Sequence, residues 1–251
     1  MEDYSITSPE VFLEAEARSS GLSLDECSVP RIVVIALRTE SKRLVELTKA
    51  VERRWFSSTM YRCRVGSEEI GLVPWTAYGA PMMALMAEHL IACGAKTILF
   101  SGALGAFQPY MEEGDFVIPS KAIIGEGTSR YYYPRAKVIE TDPEIREVLE
   151  KACRVVGART FVGPIWDTDA VYREMRSKIE KLQSQGVLGV EMETSTLCAV
   201  ARFKGIKAGS LQRVSDSLAN FRWEPYFRSE KYRRASLETT PKILIEALRL
   251  L

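Results

Sequence analysis

The sequence predicts an α/β fold built on a mostly parallel but mixed β-sheet. Short apolar runs rich in β-branched residues alternate with segments of helical periodicity, beginning with the run at 31–37. Two neighbouring strand-like runs, 60–65 and 69–77, are joined by Gly66-Ser67, which is typical of a hairpin and makes the sheet mixed. With no linker or repeat along the chain, we expect a single domain over 1–251, with 1–30 as an N-terminal arm.

The first half of the chain supplies strands and two helices. A β-branched run after Pro30 predicts the first strand, and helical periodicity follows it from about 41 to 53. Pro81 near the start and Gly94 at the end bound a helix over 80–95. The remaining strands predicted here, besides the hairpin, are 96–102 and 114–124.

The second half continues the alternation of strands and helices. Asp142-Pro143 is a helix start signal, and the helical pattern continues to Val156. Apolar runs predict strands at 159–166, 187–192 and 207–214, and periodicity predicts helices at about 172–184, 193–204 and 241–251.

Composition excludes several classes of function. Of the 251 residues, 46% are hydrophobic and 27% charged, with a net charge of +1, so neither nucleic acid nor an anionic membrane is the expected partner. No run is long enough to span a membrane, and the acidic, polar N-terminus is unlike a signal peptide, so we expect a cytoplasmic protein. The five scattered cysteines and the single His89, within a helical pattern, predict no metal site and no disulfide frame.

Polar and small residues follow four predicted strands, where a parallel sheet places its ligands. These places are Tyr78-Gly79-Ala80, Ser101-Gly102-Ala103, Glu191-Met192-Glu193 and Ser215-Asp216. We therefore expect the acids to lie at a pocket rather than in the core.

The chemistry of each residue leaves alternatives open. Glu193 either interacts with a helix dipole or accepts hydrogen bonds from a vicinal diol. Asp216 is either a helix N-cap or a carboxyl group that protonates a leaving group. The segment GEGTSRYYYP at 125–134 either lines a pocket for a flat base or forms a solvated loop. The aromatic and basic segment 220–234 is either a lid or subunit contact, or a solvated loop.

The motif GVEMETSTL at 189–197, followed by VSDSL at 214–218, resembles the signature of the purine nucleoside and uridine phosphorylase family, whose relatives include nucleosidases. The likeness extends over most of the chain from Arg31 onwards. It implies a three-layer α/β/α fold with a mixed, partly barrel-like sheet, assembled as dimers or trimers of dimers. It implies cleavage of the N-glycosidic bond of a nucleoside, with phosphate as co-substrate and no other cofactor.

The resemblance also implies roles for single residues. Glu193 would accept hydrogen bonds from the ribose 2′- and 3′-hydroxyls, and Asp216 would donate a proton or hydrogen bond to a purine base. The other substrate-binding residues it implies, together with those the strand ends predict, are Val190, Glu191, Met192, Tyr172, Gly102 and Ser215.

The sequence departs from the family at the phosphate site. The Gly-Asp-Pro turn and arginine that commonly follow the first strand are absent, and Phe100 stands where an arginine is common. Gly79, Arg38, Arg53 and Arg54 are the candidate replacements, although each arginine also fits a solvated surface. Phosphorolysis of a purine nucleoside is the favoured interpretation, with uridine, hydrolysis of a nucleoside or nucleotide, and silent nucleoside binding as alternatives.

Overall fold

The computed structural model describes residues 5–56 and 58–251. Their strands all belong to one sheet. The strands are β1 (Ile32–Leu37), β2 (Val51–Trp55), β3 (Ser58–Val65), β4 (Glu68–Trp75), β5 (Thr97–Ala106), β6 (Phe116–Gly125), β7 (Val138–Glu140), β8 (Thr160–Thr168), β9 (Gly189–Glu191), β10 (Lys207–Ser217) and β11 (Glu224–Pro225).

Helices precede, connect and follow these strands. They are α1 (Pro9–Ser19), α2 (Arg38–Thr48), α3 (Ala80–Ala92), α4 (Ser129–Tyr132), α5 (Pro143–Val156), α6 (Arg176–Ser184), α7 (Thr194–Phe203), α8 (Glu230–Arg234) and α9 (Thr240–Leu250). No helix in 5–56 or 58–251 is long and apolar enough to cross a bilayer.

Part of the sheet closes on itself. Strand β10 pairs with β6 on one side and with β5 on the other, so that β5, β10, β6, β8 and β9 form a ring. From β5 the sheet continues as an open extension in the order β1, β4, β3, β2. Parallel pairs (β5–β10, β6–β8, β8–β9) and antiparallel pairs (β5–β9, β6–β10) both occur in the ring. The predicted mixed, partly barrel-like sheet is confirmed.

Strand β1 shows how the layers form. Alternate side chains point to opposite faces of a strand, and Val33 and Ile35 pack in a core with α1, α3 and α7. Val34 and Ala36 pack on the other face in a core with α2, α5 and α9. Because both faces are buried, the strand is apolar throughout, and the predicted three-layer α/β/α arrangement is confirmed.

The predicted helix at 41–53 is wrong in its bounds. Helix α2 begins at Arg38 and ends at Thr48, where Lys49 adopts a left-handed conformation with φ of 53°. The following residues form β2, which pairs with β3, so pairing with the sheet overrides their helical pattern. No helix is predicted in the N-terminal arm, yet α1 forms there. It packs on α3 and buries Leu13 and Ala17, so this part of the arm belongs to the core.

Two strands extend beyond their predicted ends. Strand β5 continues to Ala106 and β10 continues to Ser217, since the two pair in parallel along almost their whole length. Asp216 therefore lies in a strand and does not cap a helix. The single histidine, His89, stacks on Phe12 of α1 at 5.3 Å between ring centroids.

Candidate active site

Three neighbouring strands bring the candidate acid residues together. Asp216 of β10 is paired with Gly105 of β5, and Gly105 is paired with Val190 of β9. A Cβ atom at Gly105 would lie 3.0 Å from the Asp216 Oδ2 atom and 3.4 Å from the Val190 Cγ1 atom. Because glycine has no side chain, the space between the Asp216 carboxyl group and the Val190 side chain stays open.

Glu193 lies at the N-cap position of α7 but does not cap it with its side chain. Its Oε1 atom instead accepts a hydrogen bond from the Gly79 N–H at 2.6 Å, at the start of α3. Gly79 has φ of 90°, a conformation that favours glycine, and this geometry aims its amide at the carboxylate. The helix N-terminus stabilises negative charge, whereas burial opposes it and raises the pKa of Glu193 to about 7.

Glu191 has a different environment from Glu193. Its carboxyl group accepts hydrogen bonds from the backbone N–H groups of Glu193 and Thr194 at 3.0 Å, and Gln212 Nε2 donates to it at 3.3 Å. It is 4% exposed. Glu191 therefore holds the first turn of α7, and with it the backbone of Glu193.

A second buried carboxyl group, Asp167, lies beside Glu191, opposite it in the β8–β9 pair. Burial, with the Asp167 charge as the next cause, raises the pKa of Glu191 well above its usual range. Asp167 Oδ2 accepts from the Ser195 N–H at 2.5 Å, whereas Oδ1 has no hydrogen-bond partner among the described residues. Burial is also the largest cause that raises the pKa of Asp167, so both carboxyl groups of this pair bind a proton more readily than in water.

Residues of the GEGTSRYYYP segment anchor α7. Glu126 is 2% exposed and accepts hydrogen bonds from the Ser129 N–H and the Ser195 hydroxyl, both at 3.0 Å. Tyr132 and Tyr133 pack edge-on against Phe203 of α7. The segment is therefore not a fully solvated loop, and its role in lining a pocket for a flat base stays a prediction.

Asp216 is partly buried, and each of its carboxyl oxygens accepts one hydrogen bond. Ser215 Oγ donates to Oδ1 at 2.6 Å, and Trp223 Nε1 donates to Oδ2 at 3.0 Å. Burial raises the pKa of Asp216, and these two hydrogen bonds partly offset that rise. A third acid, Glu174, lies close enough to interact electrostatically with Asp216, and burial, followed by that charge, raises the pKa of Glu174 to about 7.

Gly102 and Phe100 define the β5 side of the site. A Cβ atom at Gly102 would lie 2.8 Å from the Phe100 ring, and even closer to Gln212 Oε1. Phe100 is 1% exposed and packs edge-on against Trp75. The position where the family commonly has an arginine is therefore occupied by a buried aromatic ring.

The three candidate arginines lie at different distances from these acids. Arg38 follows β1 directly, beside Ser101-Gly102, because β1 and β5 are parallel with Ala36 opposite Ser101. Arg53 and Arg54 lie on β2, four strands from β5 in the sheet order, or about 19 Å at the usual strand spacing. Within one chain, only Arg38 shares the sheet edge of the acid residues.

The other predicted residues are placed as follows. Met192 is half-buried next to Gly79, since a Cβ there would lie 3.8 Å from the Met192 Cε atom. Tyr172 lies in a short turn after β8 and is 96% exposed, so in this structure it covers nothing.

Asp167, Glu174 and Trp223 were missed by reasoning from the residues. Asp167 ends β8 opposite Glu191, so the strand-end rule would have found it. Glu174 and Trp223 lie in irregular segments, and no periodic pattern marks them.

A groove of about 720 Å³ lies elsewhere, between α2, the β3–β4 turn and α9. Arg43, Arg64, Lys242 and Glu246 are among its lining residues, and none of the candidate site residues is. We assign function to the acid cluster because buried ionisable groups with perturbed pKa values are typical of active sites.

The sequence is similar to those of several known proteins. The sequence is 34% identical to a guanosine phosphorylase of Halorubrum lacusprofundi over 143 residues, which are 57% of this chain and 59% of that protein. It is 27% identical to a uridine phosphorylase of Escherichia coli over 170 residues, 62% of this chain and 67% of the relative. It is also 30% identical to a purine nucleoside phosphorylase DeoD-type of Bacillus cereus over 148 residues, 58% of this chain and 63% of the relative. The chain thus matches about three fifths of the guanosine phosphorylase's length.

The sequence pattern that defines one family covers nearly the whole chain. The match extends over residues 30–249, which include every strand and, apart from α1 and the last residue of α9, every helix described above. The resemblance that the VEME and VSD motifs indicated is therefore confirmed: the chain belongs to the phosphorylase superfamily.

Proposed function

We propose that this chain is a nucleoside phosphorylase that cleaves the N-glycosidic bond of a purine nucleoside with phosphate, giving the free base and ribose 1-phosphate. The observation that carries the proposal is that Gly105 is paired with Asp216 on one side and with Val190 on the other. Asp216, the acid proposed to act on the base, therefore lies across one strand from the segment that leads to Glu193. The guanosine, uridine and purine nucleoside phosphorylases among the relatives support the reaction class.

Glu193 is suited to bind the sugar. Its Oε1 atom accepts from Gly79, which fixes the carboxyl group and leaves three lone-pair positions for other donors. Two adjacent hydroxyl groups of ribose can donate to a carboxylate. The negative charge would also stabilise the oxocarbenium character that the sugar gains as the C–N bond breaks.

Asp216 is suited to act on the base. As the C–N bond breaks, its electron pair moves onto the purine, and a protonated Asp216 transfers a proton to a ring nitrogen such as N7. Acid catalysis of this kind typically contributes about a hundred- to ten-thousand-fold in rate. Burial raises the pKa of Asp216, which favours the protonated form.

Substrate binding moves both acids towards the protonation states that this mechanism needs. In the unliganded site the pKa of Glu193 is about 7, so the carboxyl group is partly protonated near neutrality. Hydroxyl groups that donate to Glu193 favour the ionised form, whereas a base packed against Asp216 removes water and favours its neutral form. Binding near pH 7 should therefore release a proton from Glu193.

Arg213, one of two side chains on β10 with groups suited to bind a pyrimidine, is engaged elsewhere, which supports a purine. Gln212 Nε2 donates to Thr194 Oγ1 at 3.0 Å and to Glu191, inside the sheet. Arg213 points to the other face of β10, where its guanidinium group contacts Glu40. Arg213 is therefore not available to bind the edge of uracil, whereas Gln212 Oε1 has no hydrogen-bond partner among the described residues and keeps its capacity to accept one.

The group that attacks the sugar is either phosphate or water. Arg38 is our candidate for phosphate binding because it lies beside Gly102 at the edge of the acid cluster. Two observations favour hydrolysis by water as a second candidate function. Phe100 fills the position of the common arginine, and the Gly79 N–H already donates to Glu193.

Release of free base from a panel of purine and pyrimidine nucleosides, measured with and without phosphate, tests the proposal. We expect purine release that requires phosphate and yields ribose 1-phosphate. Release of base and free ribose without phosphate would support hydrolysis instead. Absence of release from every nucleoside and nucleotide in the panel would refute both and leave a binding protein.

A further inference from the structure

The segment after β10 folds back over Asp216. Strand β11 pairs antiparallel with the end of β10, with Asp216 opposite Pro225 and Ser217 opposite Glu224. The Tyr226 N–H adds a hydrogen bond to the Ser215 carbonyl at 2.9 Å. This pairing brings the Trp223 side chain to the Asp216 carboxyl group, where its Nε1–H donates to Oδ2 at 3.0 Å.

Trp223 is held in place from the strand that carries Asp216. Its ring lies 6.2 Å from that of Phe227, and Phe227 lies 6.2 Å from Tyr232. The Tyr232 hydroxyl accepts a hydrogen bond from Arg213 at 2.8 Å, and the Arg213 guanidinium lies 4.5 Å from the Tyr232 ring centroid. Arg213 is three residues before Asp216 on β10. The aromatic row of Trp223, Phe227 and Tyr232 is therefore attached to the same strand that carries Asp216.

Packing does not explain the position of Trp223. The side chain is 62% exposed, whereas Trp55, Trp75 and Trp166 are all at most 6% exposed. The contact that distinguishes Trp223 is its hydrogen bond to Asp216, supported by the aromatic row.

The titratable groups around Asp216 are acidic, so neutral hydrogen-bond donors are needed to stabilise its carboxylate. Glu174, from the segment between β8 and α6, and Tyr226, after β11, both interact electrostatically with Asp216. Glu224 of β11 and Glu113 lie near Tyr226 and add further negative charge. Within 5–56 and 58–251, Asp216 forms no ion pair with a lysine or arginine. The hydroxyl of Ser215 and the indole of Trp223 are thus the donors that hold it.

We propose that Trp223 is a positioning residue for Asp216, which fixes the carboxyl group towards the base and stabilises the carboxylate formed when the acid gives up its proton. This inference rests on the proposed function. In the reaction the O–H bond of Asp216 breaks as the purine N–H bond forms, and the electron pair of the C–N bond passes to the base. The indole N–H then donates to a full negative charge instead of a neutral carboxyl group. A hydrogen bond that strengthens in this way lowers the barrier more than it stabilises the bound substrate.

The variant Trp223→Phe tests the hydrogen bond because it keeps an aromatic ring against Phe227 and removes only the donor. Loss of a donor to the ionised form raises the pKa of Asp216, so the alkaline limb of the kcat profile should move up by about one pH unit. We expect kcat to fall by about tenfold with little change in KM, since the contact acts mainly in the transition state. In an Asp216→Asn background, Trp223→Phe should cause no further loss. An unchanged pH profile, or additive losses in the double variant, would overturn the inference.

A second measurement does not depend on turnover. The indole ¹⁵N–H resonance of Trp223 can be assigned by its disappearance in Trp223→Phe. We expect its chemical shift to titrate with Asp216 in the unmodified protein and to be independent of pH over the same range in Asp216→Asn. A resonance that titrates identically in both proteins would overturn the inference even if the enzyme is active. If the unmodified protein cleaves no nucleoside, the proposed function fails, and this titration still decides whether Trp223 holds Asp216.

Discussion

Two glutamates separated by one residue, Glu191 and Glu193, have different partners. Glu191 accepts from the backbone at the start of α7, whereas Glu193 accepts from Gly79, the N-cap residue of α3. The sequence places both acids at the end of a strand, and from there the pocket could be predicted. Their division of roles could not, because it depends on Gly79, which is 114 positions away in the chain.

The raised pKa of Glu193 predicts a pH dependence of stability. A carboxyl group with a usual pKa of 4.5 and a folded-state pKa of about 7 binds its proton more tightly in the folded protein. The free energy of unfolding should therefore fall as pH rises from about 4.5 to 7. Glu193→Gln removes this contribution, and the variant should be more stable than the unmodified protein at pH 8 by about 2–3 kcal/mol.

Urea denaturation at pH 5 and pH 8 measures this difference. Glu147→Gln is the matched control, because Glu147 is an exposed residue on α5, away from the acid cluster. If Glu193→Gln and Glu147→Gln have the same effect at both pH values, the assignment of the buried charge to Glu193 is wrong.

At the scale of the elements, local patterns predicted most of the chain. Helix α5 begins where Asp142 and Pro143 predict it, and the Asp142 side chain accepts from Glu144 N at 3.0 Å and from Ile145 N at 3.1 Å. The failures are elements whose structure is decided by strand pairing and not by the local pattern. Strand β2 exists because it pairs with β3, and the end of β10 exists because it pairs with β5.

A buried ion pair joins three of these elements. Arg213 of β10 contacts Glu40 in the first turn of α2, and both side chains are at most 2% exposed. Ser101 Oγ of β5 donates to Glu40 Oε2 at 2.8 Å. Removing one partner leaves an uncompensated buried charge, so Glu40→Ala should lower the free energy of unfolding by about 3–5 kcal/mol.

The double variant Glu40→Gln/Arg213→Met separates two effects: removal of the whole ion pair, and removal of one partner that leaves the other charge buried alone. It removes both charges and should recover most of the stability lost in Glu40→Ala, as thermal denaturation would show. A double variant less stable than Glu40→Ala would contradict the view that the isolated charge causes the loss.

At the scale of the whole molecule, the ring of five strands explains why residues from distant parts of the sequence meet. Closure of β10 on β5 places Asp216 beside Gly105, and the β5–β9 pair adds Val190. The motifs in the sequence predicted the family and the fold class. They could not predict the arrangement of the β10–β11 hairpin, in which Trp223 is exposed and meets Asp216 only through tertiary pairing.

The most direct test of the account is kcat/KM for a purine ribonucleoside and for its 2′-deoxy analogue, in the unmodified protein, Glu193→Gln and Asp216→Asn. We predict that both variants lose at least about a hundredfold on the ribonucleoside while remaining folded. The preference for ribose over deoxyribose should disappear in Glu193→Gln and persist in Asp216→Asn, because the proposal assigns the sugar hydroxyls to Glu193 and the base to Asp216. A Glu193→Gln protein with unchanged kcat/KM and an unchanged preference for ribose would contradict the account.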